Sequence, residues 1–355
     1  MARRDRVNWG QVNKWVEREG LITKWKAYGM PEAMSVLSSR FVDVDPAPRW
    51  DVPEKIMIST AITGAFFSKR VNPNQAITTD EIRASAEACI LEGAPNIHIH
   101  VRDDAGFNVL DGELFRRVIE PLRVKYPAVT FDGCLVAVND EESKAMAPTM
   151  DMNLFDALPV NTTAICCGDS MFFKAPHVVI EKARLVESRG LKPLIAVYTD
   201  ADIDNARRFL IESGVVSKPY SWLVLPALPG CSPMHSPKQM VEGLMRMVGL
   251  IKDIDPESFI TVCAAGRAST YLATLGMLLG LHVRVGMEDT IWPYPHRDDL
   301  LTSNVDHFRL VTNIAKMLGR ELMTPAEYRR ALGMPERGKF TASAAGANAG
   351  VAAHA

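Results

Sequence analysis

The sequence predicts an α/β protein, a (β/α)8 TIM barrel with an added N-terminal helical arm. Between residues 53 and 335, apolar runs typical of buried parallel strands alternate eight times with helical segments. The side chains suited to chemistry lie where two of those runs end, as they do in such barrels. A chain of 355 residues is long enough for this architecture. An open doubly wound sheet shows the same alternation and is the alternative.

Residues 1–52 form the predicted arm, which we expect to pack on the barrel or on a neighbouring subunit. The segment is charged and shows helical spacing from about Trp9 to Trp25. A disordered tail rarely contains this much tryptophan. Four of the six tryptophans of the chain lie in it: Trp9, Trp15, Trp25 and Trp50. The proline-rich stretch 46–53 is the predicted linker to the barrel.

The barrel elements follow from hydrophobic periodicity and from helix-ending residues. The predicted strands are residues 55–63, 96–102, 127–138, 156–165, 192–198, 221–228, 258–264 and 282–286. The predicted helices are residues 78–92, 111–125, 141–147, 175–189, 202–212, 236–251, 269–280 and 303–318. Thr78 with Glu81 predicts a capping box at the first of these helices, and Gly93 ends it. Residues 336–355 are rich in alanine and glycine without periodicity, which predicts a flexible tail.

Composition narrows the class of function. The net charge is −2, so no excess of positive charge favours binding to nucleic acid or to an anionic membrane. The longest apolar run is too short to span a bilayer, and no apolar stretch follows the charged N-terminus as in a signal peptide. The six cysteines form no Cys-x-x-Cys pair. We therefore expect a cytoplasmic enzyme with a small-molecule substrate, and the resemblance described below implies a homo-oligomer.

A His-x-His pair at the end of the second strand is the most informative motif. Side chains alternate along a strand, so His98 and His100 point the same way while the apolar residues between and around them point the other way. Two neighbouring imidazoles suit Zn²⁺, with another divalent transition metal as the alternative. The competing interpretation is structural: His98 would be hydrogen-bonded within the core, and His100 would cap a turn.

The eighth strand ends in residues that can complete this site. The second and eighth strands flank the first, so Glu288 can offer a carboxylate to a metal held by the two histidines. Two histidines and one carboxylate leave coordination positions open for substrate, which is typical of catalytic metal sites. Asp289 can move protons beside the metal, and Arg284 can orient it or hold a substrate oxygen. The competing interpretations are that Glu288 and Asp289 belong to a solvated turn and that Arg284 forms a salt bridge at the barrel rim.

Two loops are candidates for substrate contact. Thr63 and Phe66 lie at the end of the first strand around Gly64, where a backbone without a Cβ can approach a ligand. His235 lies on the loop after the sixth strand and could reach the substrate or face the solvent. The other histidines show no second metal-binding set.

Three stretches together resemble the β-keto acid cleavage enzymes, in the order and spacing of that family: residues 61–65, 94–103 and 282–289. The resemblance runs from about Lys55 to Leu332. It implies a (β/α)8 barrel that is usually oligomeric, with Zn²⁺ held by His98, His100 and Glu288. It also implies a role in proton transfer for Asp289 and in catalysis for Arg284. The implied reaction converts a β-keto acid and acetyl-CoA into acetoacetate and a new acyl-CoA.

The sequence departs from the family member that cleaves 3-keto-5-aminohexanoate at three positions. Phe66 stands where that enzyme has a glutamate for the substrate ammonium, which favours a neutral or apolar substrate side chain. Residues 132–136 lack the serine that holds the substrate carboxylate there. On the fourth strand Ala164 is nearest to its threonine, with Thr162 and Thr163 just before, so Thr163 is the candidate contact.

Two other functions stay open at this stage. A metal-dependent hydrolase or C–C lyase acting without CoA, on a neutral or apolar 1,3-dicarbonyl-like substrate, would use the same ligands. A non-catalytic metal-binding barrel would keep the metal and show no turnover of β-keto acids.

Overall fold

A computed structural model describes residues 5–21, 39–137, 139–167, 170–228 and 236–337. The chain divides into two compact units, Met1–Val52 and Pro53–Ala355. In the first unit, helix α1 (Trp9–Glu19) begins after Asn8, whose side-chain oxygen accepts the N–H of Gln11. Residues 20–21 form a turn after this helix, whereas residues 22–25 of the predicted helical stretch and nearly all of the predicted tail lie outside the described residues.

The second unit is a closed barrel of eight parallel strands, which confirms the predicted fold class. Each strand pairs with its neighbours in chain order, and β8 pairs with β1, so the ring closes and the open-sheet alternative is excluded. The strands are β1 (Ile58–Ala61), β2 (Asn96–Ile99), β3 (Thr130–Gly133), β4 (Ala157–Asn161), β5 (Lys192–Val197), β6 (Ser221–Ala227), β7 (Phe259–Ala264) and β8 (His282–Val285).

Helices follow the strands and cover the barrel. The predicted capping box at Thr78 and Glu81 is present at the start of α2. The last α-helical turn of α6 is followed by a π-helical segment, Arg207–Ile211. Among the described helices, none combines the length and the apolar character needed to cross a bilayer. The helices are α2 (Thr79–Leu91), α3 (Gly112–Lys125), α4 (Asp140–Asp151), α5 (Pro176–Glu187), α6 (Asp200–Ala206), α7 (Pro237–Ile254), α8 (Ser269–Leu278), α9 (Asn304–Met317) and α10 (Pro325–Ala331).

Several predicted strands continue beyond the barrel as separate pairs. The run predicted as the fourth strand leaves the barrel after Asn161, and Ala164–Cys167 then pairs antiparallel with Ser170–Phe173. The end of the second run, Val101–Arg102, likewise pairs with Asn108–Val109. An apolar alternating run predicts extended chain but does not say which strand it will pair with, so the predicted barrel strands are too long.

Candidate metal centre and active site

The carboxyl ends of β8, β1 and β2 bring the proposed ligands together. Register places His98 of β2 opposite Ala61 of β1, and the backbone N–H of Glu288 donates to the Ala61 carbonyl at 3.2 Å. His98, His100 and Glu288 are all buried, with exposed fractions of 2%, 6% and 7%. The turn after β8 therefore directs the Glu288 side chain over β1 toward the two imidazoles.

The three side chains form one compact donor set. Glu288 Oε2 lies 3.4 Å from His98 Nε2, and Glu288 Oε1 lies 3.3 Å from His100 Nε2. One ligand atom from each residue lies within 4.8 Å of the others. Among the described residues, the buried Glu288 Oε2 has no hydrogen-bond partner. A buried carboxylate that faces two imidazole nitrogens and has one unsatisfied oxygen fits a divalent metal with nitrogen and oxygen ligands.

Both imidazoles are oriented through their second nitrogen. His98 Nδ1 contacts the carboxylate of Asp132, and His100 Nδ1 lies 2.6 Å from Asn108 Oδ1. Acceptors at Nδ1 favour the tautomer protonated there, which leaves the Nε2 lone pairs pointing at the position between the two rings and Glu288. The other Asp132 oxygen accepts from Asn96 Nδ2 at 2.7 Å, so this orienting carboxylate is itself held.

The electrostatics of the donor set favour a cation. Burial disfavours charge on His98, but Glu288 and Asp132 outweigh burial and raise its pKa to about 9. Burial also disfavours charge on His100, but this effect is outweighed, chiefly by the negative charge of Glu288, and the pKa of His100 is raised well above its ordinary value. Although Glu288 is buried, the positive charge of its neighbours lowers its pKa well below the ordinary range. A divalent cation bound here would compete with protons for the imidazoles, so its affinity would rise with pH.

Arg284 and Asp289 lie beside the donor set as a buried ion pair. Arg284 Nη2 donates to Asp289 Oδ1 at 2.6 Å and to Glu288 Oε1 at 3.1 Å, while its Nε donates to Asp289 Oδ2 at 3.2 Å. Burial raises the pKa of Asp289 against the opposing effect of Arg284, and the negative charge of Glu288 adds to the increase. An oriented carboxylate whose pKa is raised toward neutrality suits proton transfer.

Glycines allow the β1 and β8 loops to approach each other. Gly64 has φ +59°, and a Cβ there would lie 2.3 Å from the Glu288 Cγ. Gly286 has φ +138°, and a Cβ there would lie 2.1 Å from the Ala61 carbonyl oxygen. Only glycine fits both the backbone conformation and the available space at these positions.

Two buried amides brace the same loops. Gln75 Nε2 donates to the carbonyls of Thr63 and Met287, at 2.7 and 3.2 Å. Asn304 accepts the N–H of Met287 at 2.6 Å and donates to the Ile62 carbonyl at 2.9 Å. The residue immediately before Glu288 is therefore fixed from both sides.

A cavity of about 400 Å³ opens beside these residues. The cavity is lined by the two histidines and by Phe66, one of the predicted substrate contacts. Three charged residues from the end of β8 also line it: Arg284, Glu288 and Asp289. Of the other predicted contacts, Thr63 and Thr163 are not among the lining residues. Thr63 is buried and its hydroxyl donates to the Ala76 carbonyl, Thr163 is buried outside the cavity lining, and His235 lies outside the described residues.

Three polar residues of the cavity wall were missed by the sequence analysis: Asn108, described above, Asn161 and Tyr198. Asn161, at the end of β4, donates through Nδ2 to the hydroxyl of Tyr198, which follows β5, at 3.0 Å. Burial raises the pKa of Tyr198, so the phenol stays protonated and can donate. Polar residues at the ends of β4 and β5 were the available signal, because carboxyl ends of barrel strands share one mouth.

Known proteins match most of this chain in sequence or in fold. Residues 55–334 match the family model described as beta-keto acid cleavage enzyme. The chain is 33% identical, over 79% of its length and 98% of the relative, to the 3-keto-5-aminohexanoate cleavage enzyme of Fusobacterium nucleatum. It is 24% identical, over 80% and 98%, to the 3-dehydrocarnitine:acetyl-CoA trimethylamine transferase of Rhizobium meliloti. The solved ternary complex of ObcA with C4-CoA adduct and oxalate is similar in fold, with TM-score 0.63 and 17% identity over 74% of this chain and 68% of that one.

Proposed function

Because this chain belongs to the β-keto acid cleavage enzyme family, we propose that it is a Zn²⁺-dependent enzyme that exchanges acyl groups between a β-keto acid and acetyl-CoA. The bond between C2 and C3 of the β-keto acid breaks. The carboxymethyl group joins the acetyl group to give acetoacetate, and the remaining acyl group joins the CoA sulfur. The observation that carries this proposal is the buried cluster of His98, His100 and Glu288 opening on a cavity beside Asp289.

The cluster would hold the metal with positions left for a ligand. His98 and His100 would contribute Nε2 and Glu288 one carboxylate oxygen, with Asp132 and Asn108 keeping the rings oriented. When bound, a divalent ion polarises a keto oxygen and lowers the cost of enolate charge. Two protein nitrogens and one oxygen leave room for the oxygen pair of a β-keto acid.

The remaining polar residues would orient the substrate and move its proton. Asp289 would accept and return a proton at the carbon between the two carbonyl groups, with Arg284 fixing its carboxylate and adding positive charge beside the developing oxyanion. Asn161 and Tyr198 would donate to the substrate carboxylate, a role for which the third strand has no serine here.

The direct test is acyl transfer measured with and without acetyl-CoA. Purified protein loaded with Zn²⁺ is incubated with β-keto acids, and the products are identified by mass spectrometry. The proposal expects acetoacetate and a new acyl-CoA in equal amounts, formed only with acetyl-CoA. Release of the free acid at the same rate without acetyl-CoA would instead identify a hydrolase or lyase.

A further inference from the structure

Apart from the two histidines and its charged residues, the cavity is lined mostly by hydrocarbon side chains, which form an apolar wall; the polar exceptions among the described lining residues are Asn108, Cys134, Asn161 and Tyr198. This wall consists of side chains from the ends of β3 to β6 and from the hairpin after β4. Leu223 and Leu225 come from β6, where residues two apart face the same side of the strand. The wall includes Val136, Pro159, Ile165, Phe172, Leu223 and Leu225.

The charged groups that line the cavity are already engaged with one another. Arg284 pairs with both Glu288 and Asp289, and Glu288 faces the two histidines. Among the described lining residues, no further carboxylate, lysine or arginine is available for a charged group on the substrate. Asn161 and Tyr198 are neutral, and the proposed function already assigns their donors to the substrate carboxylate.

A charged substrate side chain would therefore enter this cavity at a large cost. Moving an ammonium or carboxylate from water to an apolar wall without a partner is strongly unfavourable. Moving a hydrocarbon group of the same shape to that wall is favourable in proportion to the apolar area removed from water. The cavity volume is within the range of small-molecule sites, so the wall has room for such a group.

We propose that the β-keto acid of this enzyme carries an uncharged hydrocarbon group on its keto carbon, packed against the wall formed by β6 and the hairpin after β4. This inference rests on the proposed function and names its substrate class. It separates this chain from relatives whose names specify amino and trimethylamine substrates. Phe66, at the edge of the same cavity, adds a further apolar surface.

Two pairs of isosteric substrates test the proposal. The 5-methyl-3-oxohexanoate ion differs from 3-keto-5-aminohexanoate by a methyl in place of the ammonium. The 5,5-dimethyl-3-oxohexanoate ion differs from 3-dehydrocarnitine by a carbon in place of the quaternary nitrogen. With acetyl-CoA and the same metal-loaded enzyme, we expect kcat/KM to favour each hydrocarbon by about 100-fold or more.

A variant of the wall shows where that preference comes from. Leu225→Ala should lower kcat/KM for the two hydrocarbons by about 10-fold, mainly through KM, since it removes apolar contact. The matched control is Leu278→Ala, at an exposed position of α8, which should leave both values unchanged. Two stretches outside the described part follow β4 and β6 in the chain, residues 168–169 and 229–235, and they include one acidic residue, Asp169. Asp169→Asn should not alter the preference.

The outcomes are distinguishable. Equal or better turnover of the charged member of each pair would overturn the inference and leave the acyl exchange intact. A preference for the cations that disappears in Asp169→Asn would overturn it as well and assign them a partner. Failure of all four compounds to give acetoacetate with acetyl-CoA would overturn the proposed function and the inference together.

Discussion

Two neighbouring residues are proposed to have different roles, Glu288 as a metal ligand and Asp289 as the proton-transfer group. Glu288 and Asp289 are adjacent, yet Glu288 faces the two histidines and Asp289 is held by Arg284. Adjacent carboxylates in different surroundings can perform different tasks.

Asp289→Asn is therefore expected to keep the metal and lose turnover. The amide preserves the shape of the side chain but cannot accept the proton, so kcat should fall by about 100-fold or more. Metal content by elemental analysis should stay at the parental level. The control is Asp298→Asn, an exposed carboxylate paired with Arg267. An Asp289→Asn enzyme with parental kcat would remove the proton-transfer role.

Asp132→Asn should weaken the metal site without removing a ligand. Asp132 contacts His98 Nδ1, and loss of such an orienting carboxylate commonly reduces metal affinity by about 10- to 100-fold. Competition with a chelator of known affinity measures the change. Unaltered affinity would show that the ring orientation of His98 does not depend on this carboxylate.

Sequence reasoning anticipated some of these residues and missed others for a definable reason. His98, His100 and Glu288 were predicted because strand alternation and strand order are visible in the sequence, and the structure does bring them within 4.8 Å. Asp132 lies opposite His98 across the β2–β3 register, and Asn161 reaches Tyr198 across a strand pair. Such contacts depend on register, which periodicity alone does not determine.

At the scale of elements, the turn after β1 controls the position of Glu288. Gly64→Ala would add a Cβ that overlaps the Glu288 side chain, in a backbone conformation that L-residues rarely adopt. We expect the variant to fold and to bind metal at least about 10-fold more weakly, since a ligand is displaced.

The control isolates this steric effect from backbone strain. Gly190 has φ +66°, and no atom lies within 4 Å of the position that a Cβ would take there, so Gly190→Ala carries comparable strain without a clash. The thermal unfolding temperature should fall in both variants, and further in Gly64→Ala because of the clash, while only Gly64→Ala loses metal affinity. Equal metal affinities in both would contradict the bracing of Glu288 by this turn.

The element boundaries were predicted less well than the elements. The fourth apolar run was predicted as one strand, and the structure divides it into a barrel strand and a hairpin strand. Both parts are extended and apolar, so their pattern is the same. The division matters for function, because Ile165 and Phe172 of that hairpin wall the cavity.

At the scale of the whole molecule, buried neutral histidines make stability depend on pH. Burial and then Arg320 lower the pKa of His282 to about 3, and burial lowers that of His307 to about 4. In the unfolded chain both histidines would have a pKa of about 6.5. Below that pH the unfolded state binds more protons than the folded state, so stability falls as the pH drops from about 6.5 toward 4.

His282→Gln should reduce this acid sensitivity. Each such histidine contributes up to about 1.4 kcal/mol per pH unit to the slope of the unfolding free energy in that window. Denaturant unfolding at pH 7, 6 and 5 measures it, with the exposed His296→Gln as the control. A parental slope in His282→Gln would show that this ring is already protonated in the folded protein.

The fold was predictable at this scale because eight strand–helix repeats are a long and regular signal, and the closed ring of eight parallel strands confirms it. The arrangement of side chains within that ring was less predictable. An apolar side chain can face the cavity or the helices, and the choice depends on the stagger of its strand relative to the neighbouring strands.

The proposed chemistry requires that His98, His100 and Glu288 hold one divalent ion, and diffraction at a metal absorption edge can locate that ion. Crystals of the Zn²⁺-loaded protein should show one anomalous peak about 2.0–2.2 Å from Nε2 of both histidines and from a Glu288 oxygen. A stoichiometric metal whose peak lies elsewhere, or no peak between these three residues, would contradict the account.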